Sequence, residues 1–283
     1  MNLIQAVVLG IVQGLTEFLP ISSTAHLRIV PALFNWTFSY NPDHPHDPGA
    51  AFTAVIQLGT TAAIVIYFWR ELLQVVVAWI RGLFDRSVRS TLEYKLGWYL
   101  ILATIPIGVF GLIFSDQVET SARNLWVIAI ALIALAVLLA AAEKVSKRDR
   151  DEEQIRTGDA VTVGAAQTLA LIPGVSRSGI TITAGLFRGL TREAAARFSF
   201  LLSIPAVVLS GAFEARKINE NSGPGVGLTA VAVILAFIVG LASIHWLIRW
   251  LSKHSTFIFI VYRIALGTLL LVLLSVGTLN ATK

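Results

Sequence analysis

Six stretches of this chain, near residues 50–69, 96–114, 124–142, 198–213, 228–248 and 264–281, are apolar, free of charge and about as long as a bilayer-crossing helix. A soluble fold has no place for six such runs. Only 14% of the residues are Asp, Glu, Lys or Arg, where a soluble domain carries about a quarter. The surface of a 283-residue soluble core could not be kept wet with so few charges. A soluble globular protein, a disordered chain and a coiled coil are therefore excluded. The expected class is all-α: one integral-membrane helix bundle over residues 1–283. The fourth run is short at its strict limits and borrows flanking residues. Leu72 to Ile80 is too short to span, and lies at the interface or extends a neighbour. Trp69, Trp79, Trp98, Trp126 and Trp246 stand near segment ends, where interfacial aromatics collect. No basic residue precedes the first apolar run and Gln13 and Glu17 interrupt it, so it does not read as a signal peptide.

Two further regions are apolar but interrupted. Residues 3–34 contain Pro20, Ser22-Ser23-Thr24, His26, Arg28 and Pro31; residues 160–187 contain Gln167, Pro173-Gly174 and Ser176-Arg177-Ser178. Proline removes a backbone donor and breaks the helical ladder. Within a bilayer such a break survives only where protein buries it or a wet cavity adjoins it. Each region is expected to be two half-helices meeting at a polar break.

The placement of positive charge sets the orientation. Loops 70–95 (Arg70, Arg81, Arg86, Arg89, Lys95) and 143–159 (Lys144, Lys147, Arg148, Arg150, Arg156) carry five basic residues each and are expected to be cytoplasmic. If 160–187 enters and leaves on one side, loops 188–197 and 249–256 join them. That puts 15 of the 22 basic residues inside, with Arg123, Arg216 and Lys217 in the outside loops 35–49, 115–123 and 214–227. A crossing would reduce the contrast to 12 against 6, so re-entry is favoured. The net charge of +5 thus serves orientation, and no nucleic-acid partner is expected. Cysteine is absent, which removes thiolate chemistry.

A re-entrant 3–34 beside an outside loop 35–49 dips from the opposite side to 160–187. That is the arrangement of an inverted-topology repeat. Gly10-x2-Gln13-x6-Pro20 is similar to Gly164-x2-Gln167-x5-Pro173, and Ile105-Pro106 with Ile204-Pro205 forms a second candidate pair.

Glu17 carries most of the chemical information, because a carboxylate at membrane depth is costly and marks a function or an ion pair. Gln13, four residues earlier, shares its helical face. Two side-chain oxygens there suit a hard cation; magnesium takes one or two carboxylates and fills its shell with water and phosphate. The plain alternative is that Glu17 pairs with Arg28 or Arg177 and holds the bundle. Ser22, Ser23, Thr24 and His26 follow Pro20, where a half-helix begins and free N–H groups collect, which makes an anion site. Three hydroxyls add donors and one is a candidate nucleophile, with His26 three residues after Ser23 and within reach of it. Taken alone, such a run is an ordinary helix cap. In the second break, Arg177 is the one ionised side chain of 160–187. Its guanidinium suits phosphate oxygens, with Ser176, Ser178 and the N–H groups around Gly174 completing a cradle. A carboxylate, a nucleophile and a base on one side face a phosphate clamp on the other, which fits phosphoryl transfer. Walker GxxxxGK[ST] and HExxH motifs are both absent.

Gln13-Gly-Leu-Thr-Glu17-Phe-Leu-Pro-Ile-Ser22-Ser23-Thr24-Ala-His26 and Pro173-Gly-Val-Ser176-Arg177-Ser178-Gly resemble the two signatures of bacterial undecaprenyl-diphosphate phosphatases of the bacitracin-resistance type. Val55-Ile56-Gln57-Leu58-Gly59 and Phe198-Ser-Phe-Leu-Leu extend the likeness. The SR-x5-H signature of the other lipid-phosphatase superfamily fails, since position 183 is Thr. The resemblance implies release of the terminal phosphate of a polyprenyl diphosphate, giving the carrier lipid for peptidoglycan. It also implies a divalent cation, Mg2+ or Ca2+, and an active site open to the periplasmic side of the bacterial inner membrane. By the same resemblance Glu17, Ser23, His26 and Arg177 are catalytic, Gln13 and Glu17 hold the metal, and Ser22, Thr24, Gly174, Ser176 and Ser178 contact substrate. Beyond the lipid substrate and membrane lipids, a homo-oligomer is left open. The competing class is a transporter or flippase for a phosphorylated lipid or small anion, which shares broken helices and a midplane anion site. Pure anion binding has little use for a carboxylate with a nucleophile and base, which separates the two.

Overall fold

The computed structural model describes residues 1–41, 44–114, 117, 124–215 and 223–281, and of residues 210–215 the backbone alone. Eleven α-helices account for most of these: α1 (Leu3–Thr16), α2 (Ser23–Leu33), α3 (Ala50–Tyr67), α4 (Trp69–Phe84), α5 (Leu92–Ile113), α6 (Leu125–Val145), α7 (Thr157–Gln167), α8 (Arg177–Phe187), α9 (Arg192–Ala215), α10 (Val226–Leu251) and α11 (Phe257–Ser275). No strand occurs among the described residues, where β pairing is confined to an isolated Arg150–Leu190 bridge.

Helices α3, α5, α6, α10 and α11 are long and apolar enough to cross a membrane, and only 28–50% of their apolar windows is buried inside the protein. Their outward faces, with Ile130, Val137, Ile234, Leu269 and Val272 exposed, have the character of a lipid-facing surface. The expected fourth span is α9, 24 residues long, which borrows the charged stretch from Arg192 to Arg197 at its start. The helices outrun their apolar cores elsewhere too. The fifth helix begins at Leu92, capped by Thr91 and carrying Glu93 in its first turn. The last helix begins at Phe257 rather than 264, with Arg263 inside it. The Leu72–Ile80 piece belongs to a separate helix, α4, bent off α3 at Phe68 and burying only Val75 and Gly82. Arg123, Arg216 and Lys217, expected in outside loops, lie outside the described residues.

Neither α1 (14 residues) nor α2 (11) can span alone; at about 1.5 Å per residue they reach roughly 21 and 17 Å. Each is the arm of a dip, and α7 and α8 form the other. Backbone bonds across the ends of the second dip show that it returns to the face it left. Arg150 N donates to Gly189 O at 3.1 Å, and Thr191 N to Arg150 O at 2.7 Å. On the same face Glu143 ties Arg192 and Thr256 together, and Arg197 bridges Glu71 and Glu152. The first dip closes on the opposite face, where Met1, Trp36, Phe38 and Leu228 pack into one apolar cluster with Ala6 and Leu27.

The packing is two-fold in pattern. Helix α1 lies on α10, and α7 on α5; α3 packs on α10, and α9 on α5; α3 meets α9, and α6 meets α11. Exchanging α1 with α7, α2 with α8, α3 with α9, α5 with α10 and α6 with α11 interchanges the first two pairs of contacts and maps α3–α9 and α6–α11 onto themselves. Only α4 has no counterpart. Gly10 and Gly164 are equivalent: a Cβ would stand 2.6 Å from Ala232 O in one case and 2.5 Å from the Ala103 Cα in the other. Both helices come closer to their neighbours than any side chain permits. The Pro106 and Pro205 pair does not survive this matching. Pro106 lies in α5, whose counterpart is α10, whereas Pro205 lies in α9.

Candidate active site

The two breaks have the same local build. Ser22 caps α2 and Ser176 caps α8, in left-handed conformations that are uncommon outside glycine, with φ 77° and 70°. Each accepts a hydrogen bond three residues on, Ser22 Oγ from Ala25 N and Ser176 Oγ from Gly179 N. Each Oγ also meets the hydroxyl two residues on, that of Thr24 at 3.1 Å and that of Ser178 at 3.2 Å. In this register Ser23 and Arg177 hold equivalent places, and one site has been divided between the two halves.

Glu17, buried at the end of α1, is where the halves join. Its Oε1 accepts from Arg177 Nη2 at 2.5 Å and from Gln57 Nε2 at 2.9 Å. Its Oε2 accepts from Ser23 Oγ at 2.7 Å and from Gln13 Nε2 at 3.0 Å. Four donors converge on one carboxylate, so its charge is both paired and fully hydrogen-bonded, as a buried charge requires. Arg177 also donates to Ser203 O on α9 at 3.0 Å. A narrow crevice between α3 and α9, too tight for a water molecule, adjoins this pair and is walled by Thr60, Ile64, Ser203 and Val207. Phe18 seals its floor, edge-on to Phe200 with ring centres 5.6 Å apart.

The structure thus brings Gln13, Glu17, Ser23 and Arg177 together. The ion pair offered as the plain alternative is present, and the nucleophile candidate sits on the same carboxylate. Arg28 has a different partner: it pairs with Asp47 of the following loop, at 3.6 Å. His26 does not meet Ser23. Its Nδ1 lies 2.7 Å from Ser22 O and its Nε2 2.6 Å from the Tyr262 hydroxyl. A ring nitrogen facing a carbonyl must carry hydrogen, so the neutral ring receives the Tyr262 proton at Nε2. His26 therefore braces the strained Ser22 turn. Ser178 Oγ donates across the breaks to Leu19 O at 3.0 Å. Gly174, at φ +98°, gives its Cα face to the α6 backbone, where a Cβ would stand 2.7 Å from Ile128 O. It shapes the loop instead of lining the cleft. Thr24 is exposed.

Gln57, Thr60, Ser203, Tyr262 and Arg263 carry no role in the sequence reading. Gln57 and Thr60 were visible as polar residues in an otherwise apolar span, and Arg263 as a charge that seemed to end one.

A carboxylate and a guanidinium, each delivered by one re-entrant break to the middle of a helical membrane bundle and backed by a hydroxyl, define a polytopic membrane protein with a composite, charge-paired polar site. The chain matches the family described as Bacitracin resistance protein BacA over residues 6–269, and it belongs to that family. It is 49% identical over 285 residues to the undecaprenyl-diphosphatase of Mycobacterium sp. (strain KMS), covering 99% of this chain and 100% of that one. Proteins of the same description from Myxococcus xanthus (strain DK1622) and Chlorobium phaeovibrioides (strain DSM 265 / 1930) are each 50% identical, covering 99% of this chain and 92% and 99% of theirs.

Proposed function

We propose that the chain hydrolyses undecaprenyl diphosphate to undecaprenyl phosphate and inorganic phosphate, recycling the lipid carrier of cell-wall synthesis in the bacterial inner membrane. The observation that carries this reading is the Ser23 hydroxyl on the Glu17 carboxylate, 2.7 Å apart, beside a guanidinium. A pure anion channel or carrier has no use for that hydroxyl–carboxylate contact. The family's description and the relatives' printed activity agree with it.

In the resting protein Arg177 neutralises Glu17. A terminal phosphate offers two coplanar oxygens and more charge than a carboxylate, so it competes for the guanidinium. As Arg177 turns to the phosphate, Glu17 is left facing Ser23. The Ser23 oxygen attacks the terminal phosphorus while Glu17 receives its proton, and the bond to the bridging oxygen breaks with undecaprenyl phosphate leaving. Arg177 holds the charge that builds on the equatorial oxygens. Glu17 passes that proton to the departing undecaprenyl phosphate; water then attacks the phosphoserine as Glu17 takes a proton from it and returns one to the Ser23 oxygen, and phosphate departs.

A divalent cation, Mg2+ or Ca2+, belongs to this proposal. Gln13 Oε1 is buried with no hydrogen-bond partner while its Nε2 faces Glu17; turning that amide over would set the free oxygen on the carboxylate, the donor set a hard cation takes. Gln13 and Glu17 would hold the ion, which supplies further neutralisation of phosphate oxygens. The loop containing His44 would face the periplasm, and the face bearing Glu143 and Arg150 the cytoplasm, in keeping with the basic residues gathered there. The deciding experiment measures phosphate release from a detergent-solubilised prenyl diphosphate, with and without Mg2+. Metal-dependent release, lost in Glu17→Ala and Arg177→Ala, is expected. Absence of release, or variants that behave like wild type, would sink the enzyme reading.

A further inference from the structure

Arg263 is fully buried in the middle of α11, and no carboxylate pairs with it among the described residues. Its guanidinium instead serves five backbone carbonyls on three elements. Nε donates to Leu132 O at 3.1 Å and Nη1 to Pro20 O at 3.1 Å. Nη2 reaches Gly174 O at 2.8 Å, and Val175 O and Ala131 O at 3.3 Å. Both breaks and the wall between them, α6, are thus held by one rigid, planar group. Breaking a helix in a membrane leaves carbonyls with no donor and no water to replace it. Only a guanidinium projects enough fixed N–H groups to satisfy several at once.

We propose that Arg263 is a positioning residue for the phosphatase reaction, a clamp that sets the two breaks in the register at which Glu17 and Arg177 meet. Glu17 stands three residues before Pro20, and Arg177 three after Gly174. Each reacting side chain is thus three residues from a carbonyl that Arg263 grips. Besides the Glu17–Arg177 pair itself, one further side-chain bond joins the two breaks among the described residues, from Ser178 to Leu19, so Arg263 supplies most of the contacts that fix their backbones against each other. The site is composite, and a slip between its halves misplaces nucleophile against phosphate clamp. About 1 Å of such misplacement costs on the order of a hundredfold in rate.

The inference rests on the phosphatase reading, and its test keeps the two separable. The full chain contains no cysteine, so spin labels can be placed at Leu15→Cys and Leu169→Cys, exposed positions just before each break. The wild-type background should give one narrow distance distribution. Arg263→Lys keeps the charge but gathers its donors on one atom, and Arg263→Gln keeps two donors. In both, the distribution should broaden, and kcat per folded molecule should fall between about 10- and 100-fold with KM within about threefold of wild type. Arg28→Lys, at a buried arginine that serves the loop instead, should leave distribution and kcat unchanged. A broad wild-type distribution, measurable even if neither Arg263 variant folds, would overturn the clamp. So would an Arg263→Lys protein with wild-type kcat or an unbroadened distribution. If the wild-type chain releases no phosphate, the phosphatase reading fails, and the distances alone decide whether Arg263 aligns the breaks.

Discussion

Glu17 has two oxygens and four donors to satisfy them, and that count says what its replacement removes. Glu17→Gln keeps the shape but turns an acceptor pair into one acceptor and one donor, leaving Arg177 partly buried without a counter-charge. Turnover is expected to fall by about 10²–10³-fold or more, with thermal stability lowered as well, since an uncompensated buried charge is costly. Kinetics and melting on the same preparation check both. Ser23 gives a sharper case. Acid quenching during turnover of a substrate labelled in its terminal phosphate should recover phosphoserine at position 23, and Ser23→Ala should yield none. A fully active Ser23→Ala enzyme would eliminate the covalent route in favour of direct attack by water. Glu17 and Arg177 were legible in the sequence because charge stands out against an apolar background. Gln57 donates to the same carboxylate, but a neutral amide in a long apolar helix shows only that a polar group is there, and its role follows once its partner is placed opposite. The Ser23–His26 pairing failed for a related reason. Spacing along a helix shows which residues can meet, whereas the direction of the His26 ring was decided by a hydroxyl some 236 residues away.

At the scale of elements, the re-entrant dips were readable because proline inside an apolar run leaves few alternatives. Helix ends were not, because a hydropathy window stops at a charge that tertiary structure is able to bury. Arg263 is such a charge. Asp159 is a second, fully buried in the first turn of α7 at the membrane face. It accepts from Arg150 Nη2 at 2.6 Å, Arg188 Nε at 2.8 Å and Arg156 N at 2.8 Å. Burial works against its charged form, but the two guanidiniums and the amide outweigh burial and hold its carboxyl below the usual carboxylate range. The stabilisation is therefore complete above the unfolded value of about 4 and is lost as pH falls through the lower folded value. Asp159→Asn should lower stability by about 3 kcal/mol at neutral pH. The gap between wild-type and variant melting temperatures should be constant from pH 8 to about 5 and close only in more acidic buffer. A gap that instead narrows around neutrality would mean that another group carries the second dip's anchorage.

Across the whole molecule, the inverted repeat makes a prediction about sidedness that no single helix makes. Helix α3 begins next to the loop holding His44 and ends where Glu71 pairs with Arg197 beside Glu152. Its 18 residues carry the chain from one face of the bundle to the other, about 27 Å at the helical rise. The first dip must then open on the His44 face and the second on the face of Glu153, since each dip returns to the side it left. The orientation proposed above puts the second face, which gathers Lys144, Lys147, Arg148, Arg150 and Arg156, in the cytoplasm. Two of these, Arg148 and Arg150, are also paired, with Glu143 and Asp159. The same residues that orient the chain therefore close the second dip from below. In the cysteine-free chain, His44→Cys should react with a membrane-impermeant maleimide in intact cells, and Glu153→Cys only after permeabilisation. Labelling of both in intact cells would place the two loops on one side and dissolve the repeat. A reversed pattern would keep the repeat and turn the His44 face toward the cytoplasm.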